Sequence, residues 1–171
     1  MQLIAPDSAF QAAFYRFYQD FVQWDPSNAG YYAAGVEDFA SYLQQLHAEA
    51  RGEQLMPEQV PCNHYWLVDN GEILGAIRLR HHIETPYLNW EGGHIGYDVA
   101  PSQRSKGYAT MMLHQVLQQA RARGLTRVLL VAEEQNKASR KVIEANGGEV
   151  DKVIVGMDDP EPLVRYWINL A

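Results

Sequence analysis

The segment APSQRSKGYAT, residues 100–110, combines serines, two basic residues and a glycine in a pattern that suits the binding of an anion. It lies between an apolar alternating stretch and an amphipathic stretch, which predicts a turn from a strand into a helix. Backbone N–H groups at such a turn point toward one place, where the positive end of the helix dipole adds to them. Gly107 allows a ligand to approach closely, and Arg104 and Lys106 can neutralise its charge. The segment predicts a diphosphate site, with a solvated basic turn as the alternative.

Other chemistries find little support in the sequence. No GxxxxGK[ST] motif is present, and GGHIGYD at 92–98 does not match the GxGxxG turn of dinucleotide-binding proteins. No group of histidines, cysteines and carboxylates has metal-ligand spacing, so we expect no metal site. Cys62 is the only cysteine, which excludes an internal disulfide framework. The anion-binding segment is therefore the strongest functional signal.

Composition and charge indicate the class of protein. With 171 residues, 47% of them hydrophobic and 20% charged, the chain is predicted to be one soluble globular domain, 1–171. The net charge of −7 argues against nucleic acid as a partner, because phosphate binding needs a concentrated basic face. That charge mildly favours a cationic substrate, although solubility alone explains it. No apolar run approaches the ~18 residues of a membrane span and the N-terminus lacks signal-peptide features, so we expect no membrane partner and a cytoplasmic location.

The helices that must position this segment follow from hydrophobic periodicity. Apolar residues at helical spacing predict helices at 8–24 and 37–50, separated by a loop at 25–35. A third helix is predicted at 110–123, directly after the anion-binding segment. The fourth lies at 137–145, where an asparagine precedes it and an Asn-Gly-Gly sequence ends it.

Six strands are predicted from alternating or continuous apolar runs. Asn70-Gly71 between the first two is a strong hairpin signal and predicts an antiparallel pair. The third and fourth strands are joined by one helical crossover, which predicts that these two pair in parallel. The predicted strands are 64–69, 72–83, 92–100, 127–132, 149–156 and 163–170.

Two blocks of the sequence resemble a known family. The pattern VAPSQRSKGYATMML, with Arg104-x-x-Gly107-x-Ala109 after an apolar strand, resembles the [RQ]-x-x-G-x-[GA] acetyl-CoA signature of the GNAT superfamily of N-acetyltransferases. Residues 127–148 resemble the following strand and helix of that superfamily, with Asn136 in the expected place. The resemblance implies an α/β (α+β) fold: a GNAT-like mixed, mostly antiparallel central sheet of about six to seven strands flanked by about four helices.

The resemblance also implies a function for the whole chain. It implies a single domain that transfers the acetyl group of acetyl-CoA directly to an amine of a small molecule or peptide. The alternative is a non-catalytic acyl-CoA-binding or regulatory domain. Acetyl-CoA is the implied cosubstrate, the acceptor amine is not identified by the sequence, and the protein is expected to be a monomer or homodimer.

Residues for the coenzyme are carried over from the same resemblance. The pantetheine arm is expected to pair with the main chain of Tyr97, Asp98 and Val99. Asn136 and Ser139 are implied as polar contacts to the arm, although capping of a helix is an equally good role for Asn136. The residues implied to hold the diphosphate are Gln103, Arg104, Ser105, Lys106, Gly107, Tyr108 and Ala109.

Direct transfer to an amine requires a base. A lysine-like amine with a pKa of ~10.4 is uncharged in only about one molecule in 2,500 at pH 7, a cost of roughly 4.6 kcal/mol. His94 is the first candidate, since its ordinary pKa of ~6.5 suits proton removal and Gly96 leaves space beside it. Glu91 is the second candidate, and a histidine hydrogen-bonded within the sheet is the alternative role for His94.

The position that usually supplies a proton to the leaving thiolate carries a different residue in this chain. Many members carry a tyrosine seven residues after the capping asparagine, where this chain has Ile143. Ser139, Tyr108 and Tyr166 are the candidate substitutes. A thiolate with a pKa near ~8–9 can also leave without an acid.

Two further regions are expected near the acceptor by resemblance. Trp24, Tyr31 and Tyr32 fall in or beside the loop between the first two helices, which borders the acceptor in this family; packing is their alternative role. The carboxylates of the loop 158–161 could attract a cationic amine, or form a solvated hairpin tip.

Overall fold

The computed structural model describes residues 1–171, which form seven strands and six α-helices. The strands are β1 (Gln2–Ile4), β2 (Cys62–Asp69), β3 (Glu72–Arg80), β4 (Ile95–Val99), β5 (Arg127–Glu133), β6 (Gly148–Val155) and β7 (Pro162–Asn169). The helices are α1 (Gln11–Trp24), α2 (Pro26–Ala29), α3 (Ala33–Glu37), α4 (Phe39–Ala50), α5 (Tyr108–Ala122) and α6 (Lys137–Ala145). No α-helix combines the length and the apolar character that crossing a membrane requires.

The strands form two hydrogen-bonded sheets, and the chain divides into two compact units. The sheets have the orders β1-β2-β3-β4 and β5-β7-β6. The first unit comprises Met1–Arg78 and Tyr97–Ala109, and the second comprises Leu79–Gly96 and Thr110–Ala171. The expectation of one functional domain across the chain stays a prediction.

The first unit is built around an aromatic core. Phe14, Phe17 and Phe21 line the buried face of α1, as their helical spacing predicts. Phe14 packs against Trp66 of β2 with ring centroids 5.5 Å apart, and Phe17 packs against Tyr32 at 4.9 Å. This core holds the helices of the first unit against β2, so the aromatic spacing seen in the sequence is explained by packing.

Residues 25–37 form α2, a 3-10 turn (Gly30–Tyr32) and α3, whereas the sequence predicted a loop over 25–35. Each helix is only four or five residues long, too short for a periodic pattern to reveal. Pro26 opens α2, and the Asp25 carboxylate accepts hydrogen bonds from Ser27 Oγ at 3.1 Å and Asn28 Nδ2 at 3.0 Å. Local polar contacts therefore stabilise turns that hydrophobic spacing does not predict.

The predicted hairpin is confirmed. Asn70 and Gly71 join β2 to β3 with φ of +48° and +77°, the signs that a type I′ turn requires. β1 was not predicted, because only three residues pair with β2, from Gln2 opposite Val68 to Ile4 opposite Trp66. β3 ends at Arg80, so the predicted strand 72–83 is three residues too long.

The second unit contains the antiparallel sheet β5-β7-β6. β5 contributes the fully buried Val128, Leu129 and Leu130, which agrees with its continuous apolar run. β6 pairs with β7 through a register shift between Val150 and Lys152. α6 begins and ends where the sequence predicted it to.

β4 and β5 lie in different sheets, whereas their helical crossover predicted a parallel pair. The Leu129 N–H donates to the imidazole Nδ1 of His94 at 2.9 Å rather than to a main-chain carbonyl. The His94 N–H in turn donates to the Leu129 carbonyl at 2.8 Å. At this position the His94 side chain accepts the hydrogen bond that a main-chain carbonyl would accept if β4 and β5 formed a parallel pair.

Candidate functional site

The predicted anion-binding segment lies in the first unit and joins β4 to α5. It begins with a 3-10 turn, Pro101–Gln103, and Ser105 and Gly107 then adopt φ of +63° and +82°. Left-handed residues in a turn help to aim successive N–H groups into a concave arrangement that accepts an anion. The N–H groups of Ser105, Lys106 and Gly107 donate no hydrogen bond within the protein. Three consecutive donors are therefore available to a ligand.

The start of α5 adds to these donors. α5 is 15 residues long, and the N–H groups of its first turn, from Tyr108 onward, have no partner within the helix. A Cβ placed on Gly107 would meet no atom within 4 Å, so the space in front of this glycine is open. Its positive φ is what favours glycine here. The loop and the helix end together offer the N–H donors that a diphosphate requires, and the diphosphate site stays a prediction.

The two basic side chains of the loop differ in their contacts. Arg104 donates from Nε to the Val99 carbonyl at 3.2 Å and forms an ion pair from Nη2 with Asp25 at 2.6 Å. This guanidinium lowers the pKa of Asp25. Lys106 Nζ donates to the neutral Gln103 Oε1 at 2.8 Å. Arg104 thus holds the loop in place, while the Lys106 charge is not compensated by a side chain.

The end of β4 carries a second polar arrangement of the first unit. Asp98 Oδ2 accepts hydrogen bonds from the Tyr32 hydroxyl at 2.7 Å and from Arg78 Nη1 at 3.3 Å. Tyr32 was expected near the acceptor by resemblance, whereas Arg78 was missed as a functional candidate, and neither residue was expected to contact Asp98. The available signal was Arg78 itself, the only charged residue in the apolar run 73–79.

His94 lies in the second unit, immediately before β4, and is 6% exposed. Its Nδ1 accepts the Leu129 N–H, so the neutral ring carries its proton on Nε2 and neither nitrogen has a free lone pair. Burial lowers the pKa of His94 to about 4, with further contributions from Arg80, His82 and Arg127. This geometry favours a structural hydrogen bond, and the role of base stays a prediction.

Glu91 lies in a π-helical turn, Leu88–Gly92, of the second unit. Its Oε1 accepts the Met157 N–H at 2.9 Å, and its other carboxylate oxygen accepts no hydrogen bond from the protein. The buried Arg165 stabilises the turn by donating to the Trp90 carbonyl at 2.7 Å and to the Asn89 carbonyl. Glu91 is therefore held through one oxygen, and the other oxygen lies beside Gly156 without a hydrogen bond from the protein.

The α6 candidates also lie in the second unit. Asn136 caps α6, its Oδ1 accepting the Ser139 N–H at 3.0 Å, while its Nδ2 donates no hydrogen bond within the protein. Ile143 is 1% exposed and belongs to the core, so the residue at the usual tyrosine position is turned away from solvent. The capping role of Asn136 is thus observed, and its role toward the coenzyme stays a prediction.

Tyr166 is engaged within the protein. Its hydroxyl donates to Glu144 Oε1 and accepts from Arg140 Nε, each at 2.8 Å. Burial raises the pKa of Tyr166, and the Glu144 carboxylate acts in the same direction against Arg140. Tyr108, whose hydroxyl makes no hydrogen bond within the protein, is therefore a better candidate for a proton donor than Tyr166, and the role of Ser139 stays a prediction.

The candidate residues are divided between the two units. The second unit carries Glu91, His94, Asn136 and Ser139. No group of three or more His, Cys, Asp or Glu in the structure could hold a metal ion. The first unit carries Tyr97, Asp98, Val99, Gln103, Arg104, Ser105, Lys106, Gly107, Tyr108 and Ala109.

Comparisons with known proteins show what the chain resembles. Residues 5–149 match a domain described as Acetyltransferase (GNAT) domain. No curated protein sequence is significantly similar to the chain.

Three solved structures illustrate the likeness in fold. The ribosomal L7/L12 alpha-N-protein acetyltransferase RimL, in complex with coenzyme A, has a TM-score of 0.70 at 18% identity, covering 98% of this chain and 92% of that chain. The putative acetyltransferase yncA from Salmonella typhimurium, with acetyl-CoA, has a TM-score of 0.60 at 17% identity, covering 99% and 94%. A variant of the spermidine N-acetyltransferase SpeG from Vibrio cholerae has a TM-score of 0.60 at 12% identity, covering 99% and 95%. The predicted fold class is confirmed.

Proposed function

The chain belongs to the GNAT acetyltransferase family, and we propose that it is an enzyme that transfers the acetyl group of acetyl-CoA directly to an amine. The observation that carries the proposal is the loop between β4 and α5. Its free N–H groups at Ser105, Lys106 and Gly107 precede the positive end of α5, an arrangement that binds a diphosphate. Lys106 adds a charge of the required sign.

The reaction is a displacement at the thioester carbonyl carbon. The uncharged amine attacks that carbon, a C–N bond forms, the C–S bond breaks, and sulfur leaves with the electron pair as the CoA thiolate. The proton lost by the amine passes to a base. We assign this role to Glu91 in preference to His94, because one Glu91 carboxylate oxygen accepts no hydrogen bond from the protein and the His94 ring has no free lone pair.

Departure of the thiolate needs little help. With a thiol pKa near ~8–9, the thiolate is a good leaving group at neutral pH. Tyr108, half-buried at the start of α5, makes no hydrogen bond through its hydroxyl and is the candidate donor from the first unit. The proposal includes a cytoplasmic enzyme, monomeric or dimeric, without a membrane partner, and the net charge of −7 argues against nucleic acid as a partner.

One observation favours a second function. The usual tyrosine position is occupied by Ile143, which is buried in the core. A non-catalytic acyl-CoA-binding domain would keep the loop and lack the acid. Both functions predict that the protein binds the coenzyme, but only the enzyme is expected to turn over acetyl-CoA.

The experiment is a calorimetric titration with CoA, followed by acetyl-CoA turnover with a panel of amines, measured as thiol release. We expect CoA binding and turnover with at least one amine. CoA binding without turnover would identify a non-catalytic domain. Binding of ATP or NAD in preference to CoA would contradict the proposal.

A further inference from the structure

One carboxylate oxygen of Asp98 is held by two hydrogen bonds, and the other accepts no hydrogen bond from the protein. Its Oδ2 accepts from the Tyr32 hydroxyl at 2.7 Å and from Arg78 Nη1 at 3.3 Å. Its Oδ1 accepts no hydrogen bond from the protein, and 26% of the side chain is exposed. These residues, with Tyr31, form a group of four in the first unit that we name the Asp98 cluster. A carboxylate oriented by two donors and open at one oxygen is prepared for a third donor.

The two donors to Asp98 are themselves rigidly held. Tyr32 is 2% exposed, with its ring packed against Phe17 at 4.9 Å and Phe21 at 5.3 Å between centroids. The Arg78 side chain is 15% exposed, and its guanidinium lies 4.4 Å from the centroid of the Tyr31 ring. Since both partners have little freedom, the direction of the open Asp98 oxygen is determined by the fold and not by solvent.

The charges of the Asp98 cluster restrict what it can bind. Arg78 is protonated at any physiological pH, so it neutralises Asp98 and the cluster has no net charge. A single amine can still donate an N–H to the open oxygen. A polyamine would bring a second positive charge toward Arg78 with no further carboxylate in the cluster to meet it. The charges of the Asp98 cluster therefore favour an acceptor with one amine.

The exposed Tyr31 ring supplies a surface for the rest of such a molecule. Tyr31 is 58% exposed, although Arg78 lies close to its ring and Tyr32 packs edge-on at 5.4 Å. An aromatic ring of this exposure stabilises a packed hydrocarbon or aromatic frame through apolar contact. The cluster therefore combines one hydrogen-bond acceptor for nitrogen with one apolar surface.

We propose that Asp98 Oδ1 binds the amine nitrogen of the acceptor, and that the acceptor is a monoamine whose hydrocarbon or aromatic frame lies on Tyr31. The inference rests on the proposed acetyltransferase function and adds to it the class of the acceptor. Tyr32 and Arg78 are positioning residues that act through Asp98.

The first test compares acceptors with the wild-type protein. Phenethylamine and hexylamine represent monoamines, and spermidine represents polyamines, all assayed with saturating acetyl-CoA. We expect kcat/KM for the better monoamine to exceed that for spermidine by about 10-fold or more, since spermidine carries two further ammonium groups that no carboxylate of the cluster compensates. A higher kcat/KM for spermidine would overturn the assigned class.

The second test changes the cluster. Asp98→Asn removes the charge, and we expect KM for the monoamine to rise about 10- to 100-fold, the effect of losing a charge-assisted hydrogen bond. The dissociation constant for CoA should stay unchanged, because only the side chain is altered. Tyr32→Phe should raise KM by a few-fold through looser positioning of Asp98. The matched control is Glu72→Gln, an exposed carboxylate of the same unit.

Asp98→Asn alone leaves Arg78 buried without its counter-charge and can unfold the protein. The double variant Arg78→Met with Asp98→Asn removes both charges, so it should fold and still show the raised KM. A folded variant of either kind with wild-type KM would overturn the inference while leaving the proposed function in place. A wild-type protein that binds CoA and acetylates no amine would overturn the proposed function and this inference together.

Discussion

At the scale of single residues, the surroundings of His94 determine its protonation. The Leu129 N–H occupies Nδ1, and burial together with three neighbouring basic residues lowers the His94 pKa to about 4. The folded protein therefore prefers the neutral ring. The unfolded chain takes up a proton at a pKa of ~6.5, so acid favours unfolding through this residue.

This difference predicts a pH dependence of stability. Above pH ~6.5 the ring is neutral in both states, and between pH ~6.5 and 4 only the unfolded chain is protonated. The His94 contribution to the free energy of unfolding should thus fall by about 2 kcal/mol from pH 7 to pH 5. Urea unfolding of the wild type and His94→Gln at both pH values measures it. Equal losses in the two proteins would show that His94 does not titrate as described.

The same variant separates the two roles of His94 in turnover. Loss of a general base lowers kcat typically ~10²–10⁴-fold, whereas loss of a hydrogen bond within the structure leaves the chemical step in place. We expect His94→Gln to retain kcat within about 10-fold and Glu91→Gln to lose about 100-fold or more. If His94 were the general base, His94→Gln would lower kcat more than Glu91→Gln does.

Gly107 allows a matched test of the loop proposed to hold the coenzyme, residues 101–107, which we call the coenzyme loop. It has φ of +82° and open space where a Cβ would be, and Gly124, just after α5, has φ of +84° and equally open space. Both substitutions to tryptophan carry a similar backbone cost, of order 1 kcal/mol. We expect Gly107→Trp to abolish CoA binding by calorimetry and Gly124→Trp to preserve it. Unchanged affinity in Gly107→Trp would remove the loop from the coenzyme site.

At the scale of elements, an ion pair connects the coenzyme loop to the start of α2. Arg104 bonds to the Val99 carbonyl and to Asp25, so it acts on the shape of the loop. We expect Arg104→Ala to weaken CoA binding by about 2- to 5-fold, the effect of a partly exposed pair. Asp25→Asn should cause a similar loss of CoA affinity if Arg104 acts by holding the loop in its conformation. An unaffected Asp25→Asn protein would mean that Arg104 contacts the coenzyme directly.

The loop between β6 and β7 carries Asp158, Asp159 and Glu161 in the second unit. Three exposed carboxylates can attract a cationic amine and raise its rate of association, an effect that salt screens. Neutralising all three should lower kcat/KM for the best amine by several-fold at low salt and little at high salt. The control neutralises three exposed carboxylates elsewhere, Glu37, Glu53 and Glu149. Equal effects of the two sets would mean that net charge and not this loop is responsible.

At the scale of the whole molecule, the parts that could be predicted are those encoded locally. The hairpin at Asn70-Gly71, the cap at Asn136 and the loop before α5 each depend on neighbouring residues, and each was found as expected. Short elements such as α2 and β1 depend on contacts made after folding. Their sequences carry no period to detect.

For the candidate site, too, a locally encoded segment could be predicted and contacts between distant residues could not. The coenzyme loop is one continuous segment, so its residue types indicate its chemistry directly. The Asp98 cluster joins residues 20 and 66 positions away from Asp98, and only the fold brings Tyr32 and Arg78 to that carboxylate. The hydrogen bond that occupies His94 Nδ1 likewise comes from a strand 35 residues further along.

The pair of Arg104 and Asp25 has a consequence for the order of events in turnover. Asp25 begins the segment that carries Tyr31 and Tyr32, so the loop that receives the coenzyme and the surface proposed for the acceptor share one ion pair. Coenzyme bound at the loop would restrain that surface through this ion pair before an acceptor arrives. We therefore expect the proposed reaction to bind its substrates in a compulsory order, with acetyl-CoA first, and product inhibition by CoA to be competitive toward acetyl-CoA and mixed toward the amine.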